Sequence, residues 1–267
     1  MEIKKTNFLH RVASLALALV MVLSVVVVAV PTEVSAADKS FKSKGKSSVT
    51  ITDTECYRST GEYTWIKYKA PANGYLKISA ANASTVSSNT AGYWCLYNKT
   101  KTAAVSPDNV YNTNYTDSYY YTDVYGVKKG VTYYLNVRAY AGTTINASFT
   151  KVTDKSGAKK SKALNLKQKK ATTGLIRVGD TKVSDWYKFK ITSPKKLSIT
   201  ITPYANDAIS VTMSGAGVYT NTSTIGTSRY GKKCTFSTSR KVRTGTYYIQ
   251  IKPAKKTTSG YYKVSWK

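Results

Sequence analysis

Two tryptophans, Trp65 and Trp186, are the first residues of this sequence whose surroundings suggest chemistry. Each begins a segment with lysines at the alternate positions, 65–69 (WIKYK) and 186–190 (WYKFK). Alternate residues of a β-strand share a face, so each tryptophan is predicted to face solvent beside two lysines. An exposed indole stacks on a sugar ring or another planar group, and a neighbouring lysine holds an anion. Both tryptophans are therefore candidate ligand-binding residues; the alternative is that they cover a loop or join two parts of the chain.

Tyrosines form the second set of candidates. Tyr134 and Tyr248 are predicted to point outward from two strands, with the same two interpretations. The first half of the chain alone carries a further cluster, which consists of Tyr111, Tyr115, Tyr119, Tyr120, Tyr121 and Tyr125. Tyrosine offers a large contact area and a hydroxyl at low entropy cost, which suits an adaptable binding surface. It also suits an ordinary strand, so residues 119–121 are candidates with a purely structural alternative.

The first 36 residues have the pattern of a secretory signal peptide. Basic residues precede an apolar run over 12–30, and 34–36 (VSA) supplies the small residues of a cleavage site. The alternative is an uncleaved anchor, because the apolar run is long enough to span a bilayer. We expect cleavage and a secreted, extracellular protein, with the cell wall as one location.

Residue types exclude several kinds of catalysis. His10 is the only histidine, and it lies inside the predicted signal peptide. Its removal excludes Ser-His-Asp and Cys-His nucleophilic catalysis and metal sites with histidine ligands. The acidic residues are scattered, whereas a glycosidase needs two carboxylates across one cleft. We therefore expect no catalytic residue and a protein that is not an enzyme.

Acidic residues of one loop are the only candidates for a metal. Asp53, Glu55 and Glu62 could supply oxygen ligands to calcium, and the second half has only Asp180 and Asp185 nearby. The spacing lacks the regular alternation of a calcium loop, and solvated acids are common in turns. We expect no cofactor and no metal, with calcium as the alternative.

The chain aligns with itself as two copies of one unit. The matching pairs of segments are 65–69 with 186–190, 76–78 with 197–199, 132–138 with 246–252 and 145–149 with 262–266. The opening residues Val49 and Ile51 are set against Leu164 and Leu166. The offset drifts between pairs, which indicates loops of different length in duplicated domains.

This alignment predicts the domain organisation. After the signal peptide at 1–36, one module covers 37–152 and a second covers 163–267. The Lys/Ser/Gly-rich segment 153–162 is predicted to be the linker. Each module has an ordinary domain size.

Period-two alternation predicts the fold class. In 187–191, Tyr187, Phe189 and Ile191 share one face, while the lysines between them share the other. Each copy shows several such short strands separated by Gly, Asn, Pro, Ser and Thr clusters. We expect an all-β chain of two tandem antiparallel β-sandwiches, each sheet with one buried and one wet face.

The second copy resembles the bacterial pre-peptidase C-terminal domain. The segments that carry the resemblance are 185–189 (DWYKF), 197–199 (LSI), Asp207 before 209–211 (ISV), 245–251 (GTYYIQI) and 260–264 (GYYKV). In the first copy, Thr64 stands at the family's aspartate and Ile66 at its first aromatic residue. The resemblance implies a jelly-roll-like sandwich that acts as a non-catalytic accessory or binding module of exported enzymes. In this sequence we expect no peptidase domain before either copy.

Three cysteines leave one bridge within a single copy, Cys56–Cys95. Export permits a disulfide, but spacing does not prove it. Cys95 alternates with Trp94 and is expected on an outer face. Cys234 shares a face with Phe236 and is expected to be a buried thiol.

Positive charge dominates the surface chemistry. The chain has 41 Lys and Arg against 13 Asp and Glu, a formal net charge of +28. Such charge favours polyanions, and outside the cell these are acidic polysaccharides, teichoic acids and glycosaminoglycans. A nucleic acid is not expected, since no motif for it is present. The predicted function is therefore non-catalytic binding of an extracellular polymer. The alternative is an adhesin, or an accessory subunit that docks a separately encoded secreted enzyme.

Overall fold

The computed structural model describes residues 39–52, 64–81, 91–107, 109–112, 122–139, 141–180, 183–216, 218–226 and 231–267. The predicted signal peptide lies outside these residues. Within them the chain is all-β, and its only helical element is a 3-10 turn at Lys160–Lys162. No helix in the described part is long and apolar enough to cross a membrane.

The first sandwich contains strands β1 to β9. They are β1 (Lys39–Ser40), β2 (Lys46–Thr50), β3 (Thr64–Lys69), β4 (Gly74–Ala81), β5 (Ala91–Tyr97), β6 (Asn109–Asn112), β7 (Thr122–Val127), β8 (Thr132–Arg138) and β9 (Thr144–Lys151).

The second sandwich contains strands β10 to β18. They are β10 (Leu164–Asn165), β11 (Thr172–Ile176), β12 (Asp185–Ile191), β13 (Ser198–Ala205), β14 (Ile209–Gly215), β15 (Val218–Ile225), β16 (Cys234–Ser237), β17 (Gly245–Pro253) and β18 (Gly260–Trp266).

Strand order confirms the predicted jelly-roll-like architecture. One sheet of the first sandwich has the order β1-β3-β8-β5-β6 and the other β2-β9-β4-β7. Strands β2 to β9 therefore pair as nested hairpins, as in a jelly roll. The second sandwich repeats both orders, as β10-β12-β17-β14-β15 and β11-β18-β13-β16. The sheets are antiparallel except at the first strand of each copy, where β1 lies parallel to β3 and β10 parallel to β12.

Each sandwich has its own hydrophobic core, built from the inward faces that alternation predicts. Ile66 and Tyr68 of β3 meet Leu76 and Ile78 of β4 in the first core. In the second core Phe189, 1% exposed, stacks on Tyr247 at 5.6 Å and on Trp266 at 4.5 Å between ring centroids. Burying side chains of this size is the main favourable term that holds such sheets together.

Strand register shows that one predicted match between the copies was wrong. Leu164 pairs with Tyr187 as Lys39 pairs with Ile66, so the opening of the second copy corresponds to β1. Its predicted counterpart Val49 instead lies in β2, opposite Ile145. A two-residue strand carries too little pattern for alignment, and only its parallel pairing shows which strand it is.

The predicted match of 76–78 with 197–199 is shifted by two residues in the structure. Leu76 lies opposite Phe149, and Ile199 lies opposite Trp266, so Leu76 corresponds to Ile199 rather than Leu197. A shift of two residues keeps every side chain on its face. The alternation of the sequence therefore cannot detect it.

The two sandwiches contact each other along strand β7. The carbonyl of Gly126 accepts a 2.7 Å hydrogen bond from the backbone N–H of Val178, whose side chain packs against the first core. Gly126 has no room for a side chain, because a Cβ there would collide with the carbonyl oxygen of Ile176. Such a contact covers the edge of β7, which would otherwise expose unpaired backbone groups.

Three tyrosines extend this contact. Tyr75 of β4 stacks on Tyr261 of β18, with ring centroids 4.2 Å apart. Tyr261 stacks in turn on Tyr204 of β13 at 4.5 Å. Burial, together with both neighbouring phenols, raises the pKa of Tyr261. The contact between the copies is thus made by tyrosines and backbone, and these tyrosines were not among the predicted candidates.

Candidate functional site

The outer face of strands β3, β8 and β5 brings together two of the predicted binding residues of the first sandwich, Trp65 and Tyr134. Tyr134 of β8 lies between Lys67 of β3 and Tyr97 of β5, and Trp65 lies one pair further along β3. Trp65 and Tyr134 are half-buried and point away from the core, as the alternation predicted. We call this surface, with Trp65, Tyr93, Tyr97 and Tyr134, the aromatic face.

Three rings of the aromatic face, those of Trp65, Tyr97 and Tyr134, form one contiguous cluster. Trp65 meets Tyr97 edge to face, with ring centroids 5.1 Å apart, and meets Tyr134 in the same way at 6.4 Å. Such geometry places the positive ring edge of one residue against the negative face of another. These two contacts favour one orientation of the indole, which lowers the entropy cost of using it for binding.

A lysine that was not among the predicted binding residues lies over this cluster. The Nζ of Lys101 is 4.7 Å from the ring centroid of Tyr134 and 5.1 Å from that of Trp65. A cation at this distance from two aromatic faces is attracted by both. The cluster therefore holds a positive charge directly above its aromatic rings.

The hairpin after β5 places Lys101. The side-chain oxygen of Asn98 accepts hydrogen bonds from the N–H of Thr102 at 3.1 Å and from the hydroxyl of Thr100 at 3.1 Å. Lys101 itself has φ of 60°, a left-handed conformation that lets the chain reverse. The turn thus directs a lysine back over the sheet.

The rest of the aromatic face is open and basic. Tyr93 is 41% exposed and lies opposite Arg138 in the register of β5 and β8. Lys67 and Lys69 are exposed on the same face of β3. A ligand that lies along this face would contact rings and cations alternately.

The second sandwich has a similar but simpler outer face. Trp186 and Tyr248 are half-buried and point away from the core, as predicted. Lys160, from the predicted linker, has its Nζ 4.7 Å from the ring centroid of Tyr248. A lysine thus lies over the same tyrosine in both copies, although it comes from different segments of the chain.

The tyrosine cluster of the first copy is only partly described. Tyr115, Tyr119, Tyr120 and Tyr121 lie outside the described residues, as does the side chain of Tyr111. Tyr125, for which a binding surface and an ordinary strand were both open, has the structural role. Its ring is fully buried, and its hydroxyl donates a 2.9 Å hydrogen bond to the carboxylate of Asp123 in the core.

The cysteines lie in different surroundings from those expected. Cys95 does belong to the outer face of β5, but it is 4% exposed, because the segment with Ser106 covers it. Cys56 lies outside the described residues, so the Cys56–Cys95 bridge stays a prediction. Cys234 packs beside Phe236 against the second core, yet it is only half-buried.

Two carboxylates meet beside a cleft of about 670 Å³, whose lining includes Lys151 and Arg177. Asp154 accepts hydrogen bonds from the N–H of Ser156 at 2.8 Å and of Leu175 at 2.9 Å. Asp185 accepts them from the hydroxyls of Ser156 and Tyr262. Every oxygen of both carboxylates thus has a donor from the protein, which is the arrangement of a structural network.

The environment of Asp185 changes its protonation. Burial, and then the neighbouring charge of Asp154, raises the pKa of Asp185 to about 6. Its ordinary value in an unfolded chain is 3.8. Between these values the folded protein binds more protons than the unfolded one.

Stability is therefore expected to fall as pH rises from about 4 to about 6.5. Asp185 adds to the free energy of unfolding most fully below pH 3.8, and this stabilisation is lost as pH rises through 6. The change is up to about 3 kcal/mol. Urea unfolding of the wild type and of Asp185→Asn at several pH values measures it. The difference between the two proteins should vary over this range, and a constant difference would contradict the assignment.

The described residues give no support to a metal site. No group of three or more His, Cys, Asp or Glu in the described ranges is placed to hold a metal ion. Asp180 forms an ion pair with Arg177, and Asp185 is engaged as above. The proposed calcium ligands Asp53, Glu55 and Glu62 lie outside the described residues.

Sequence reasoning missed Tyr93, Tyr97 and Lys101. The alternation of β5, with Trp94 and Leu96 buried, would have placed both tyrosines on the outer face. No local pattern would have found Lys101, since its position depends on how the hairpin folds back over two other strands.

The fold and the site define a class of protein: tandem jelly-roll-like sandwiches with aromatic and basic residues on an exposed sheet face. No family model matches the sequence, and no curated protein matches it.

Solved structures similar to the chain include the pre-peptidase C-terminal domain of a collagenase from Bacillus anthracis. That match has 17% identity, a TM-score of 0.30, and covers 39% of this chain and 93% of that one. A second is tripeptidyl peptidase 2, with 9% identity and a TM-score of 0.31, covering 85% of this chain and 24% of that one.

A third is the tandem CBM22-1–CBM22-2 domain of Xyn10C from Paenibacillus barcinonensis. It has 9% identity and a TM-score of 0.26, and covers 86% of this chain and 97% of that one. At these scores the likenesses define neither a family nor a ligand.

Proposed function

We propose that this protein is a secreted, non-catalytic binding protein for an extracellular acidic polysaccharide, which it holds on the aromatic face of the first sandwich. The observation that carries the proposal is the ammonium group of Lys101 above the rings of Trp65 and Tyr134. Aromatic rings pack against the apolar faces of sugars, while a cation pairs with a carboxylate or sulfate group.

The geometry suits a polymer better than a small molecule. The aromatic face lies on an open sheet, where exposed Tyr93, Lys67 and Lys69 extend the surface around the ring cluster. Small ligands usually bind in enclosed, mostly apolar cavities. A long chain can instead gain affinity from several weak contacts along an open face.

The second sandwich supports the proposal as a weaker site. It has Tyr248 under Lys160, and Trp186 in the position of Trp65. Among the described residues, Trp65 meets Tyr134 edge to face, while no such ring contact joins Trp186 to Tyr248. Two sites on one chain would increase retention on a polymer without new contacts.

Retention of the purified protein on immobilised polysaccharides tests the proposal. We expect binding to acidic polymers to persist at about 0.5 M salt, where the Debye length is only a few ångströms and charge attraction alone is screened. Trp65→Ala should lower the affinity about tenfold or more, and Trp186→Ala by a smaller factor.

Tyr75→Ala is the matched control, since Tyr75 is an aromatic residue that contacts Tyr261 at the other side of the first sandwich. Equal retention of Trp65→Ala and the wild type would remove the aromatic face from the proposal. Loss of all binding at moderate salt, together with recovery of a stoichiometric protein partner from culture medium, would favour the docking function instead.

A further inference from the structure

The outer face of the other sheet of the first sandwich carries a row of side chains whose register points to a second ligand. Ser148 of β9 lies directly opposite Lys46 of β2 on one side and Lys77 of β4 on the other. Two residues further on, Asn146 lies between Ser48 and Ser79 in the same way. A small polar centre is thus flanked by two lysines.

These residues line a concavity of about 540 Å³, which we call the lysine trough. Its lining also includes Lys42, and none of its described lining residues is acidic. Lys42, Lys46 and Lys77 are exposed, while Ser148 and Asn146 are half-buried at its floor. The long lysines therefore form the walls and the short hydroxyl and amide groups form the base.

The spacing of the strands sets the distance between the walls. Neighbouring strands lie about 4.8 Å apart, so β2 and β4 are separated by about 10 Å across β9. Lysine is a flexible point charge with three donors, so the two ammonium groups can converge above Ser148. Like charges held this close repel each other unless an anion lies between them.

We infer that the lysine trough binds a tetrahedral oxyanion, a sulfate or phosphate ester carried on a polymer. A sulfate ester offers three terminal oxygens and a phosphate diester two, arranged tetrahedrally, which can accept from both lysines and from the Ser148 hydroxyl. A carboxylate holds its two oxygens in one plane. This site lies on a different sheet from the aromatic face, so it does not depend on the function proposed above.

The second sandwich supplies an internal control. Ser265 of β18 occupies the position of Ser148, but its neighbour on β13 is Thr200 where the first sandwich has Lys77. Ser265 and Ser148 are both half-buried. Ser148→Asp and Ser265→Asp therefore change the net charge equally, but only Ser148→Asp places a carboxylate between two lysines.

The test is calorimetric titration at about 0.15 M salt with two probes, a heparin-derived octasaccharide and a glycerol phosphate oligomer. We expect Ser148→Asp to weaken binding about tenfold and Ser265→Asp to weaken it less than about twofold. The probe that binds more tightly distinguishes sulfate esters from phosphate diesters.

A second pair of variants covers the case that Ser148→Asp does not fold. Lys46→Ala with Lys77→Ala removes the walls, and Lys256→Ala with Lys263→Ala removes two exposed lysines of the second sandwich. The first pair should weaken binding about tenfold and the second less than about twofold. Equal losses in both pairs, or no binding of either probe by the wild type, would overturn the proposal.

Discussion

Phe189→Ala is expected to lower the free energy of unfolding by about 4 kcal/mol. The Phe189 ring is 1% exposed and stacks between Tyr247 and Trp266 in the second core. Its removal loses both the transfer free energy of the ring and the contacts of its two neighbours, which cannot collapse into the space because both lie on paired strands. Urea unfolding followed by tryptophan fluorescence measures the effect.

Phe189→Leu is the matched control, because it keeps most of the buried volume. We expect a loss of about 1.5 kcal/mol for this variant. The comparison also tests cooperativity: the two sandwiches contact each other, so a single shifted transition is expected. A loss below 1 kcal/mol in Phe189→Ala would contradict the stacked arrangement of the core.

The second large effect is expected at the contact between the sandwiches. Gly126→Ala should lower the free energy of unfolding by about 3 kcal/mol. The new methyl group would collide with the backbone carbonyl of Ile176, and a backbone cannot move away as a flexible side chain can. The variant should also unfold in two steps, since the tyrosine stack of Tyr75 with Tyr261 would separate.

Gly226→Ala provides the control for this change. Nothing lies within 4 Å of a Cβ built at Gly226. The same substitution there should leave stability unchanged or raise it by a few tenths of a kcal/mol, because alanine reduces the entropy of the unfolded chain. Equal stability of the two alanine variants would mean that Gly126 does not meet the second sandwich in solution.

The aromatic face shows how far sequence reasoning reaches. The outward direction of Trp65, Trp186, Tyr134 and Tyr248 follows from period-two alternation, and the structure has all four in that direction. For Tyr125 the sequence left a binding surface and an ordinary strand open. The structure has it facing the core, where its hydroxyl donates to Asp123, because a buried tyrosine needs such a partner.

Interactions between distant segments were outside the reach of the sequence. Lys101 lies over Trp65 because a hairpin folds back over strands far from it in the chain. Likewise, the lysines of the trough belong to β2 and β4, and neither β2 nor β4 shows from its own pattern that β9 lies between them. Local periodicity carries no information about which strands become neighbours.

By itself, the sequence determined the all-β fold class, the direction of most strand side chains and the absence of histidine chemistry beyond residue 10. Each of these depends on residue types or on contacts within a few positions, which local sterics and alternation decide. Tertiary structure alone placed Lys101 over its aromatic rings and Ser148 between two lysines. It also brought the backbone of Ile176 so close to Gly126 that no side chain fits there. These depend on pairing across long loops, where the closure of the chain rather than its local pattern selects the neighbours.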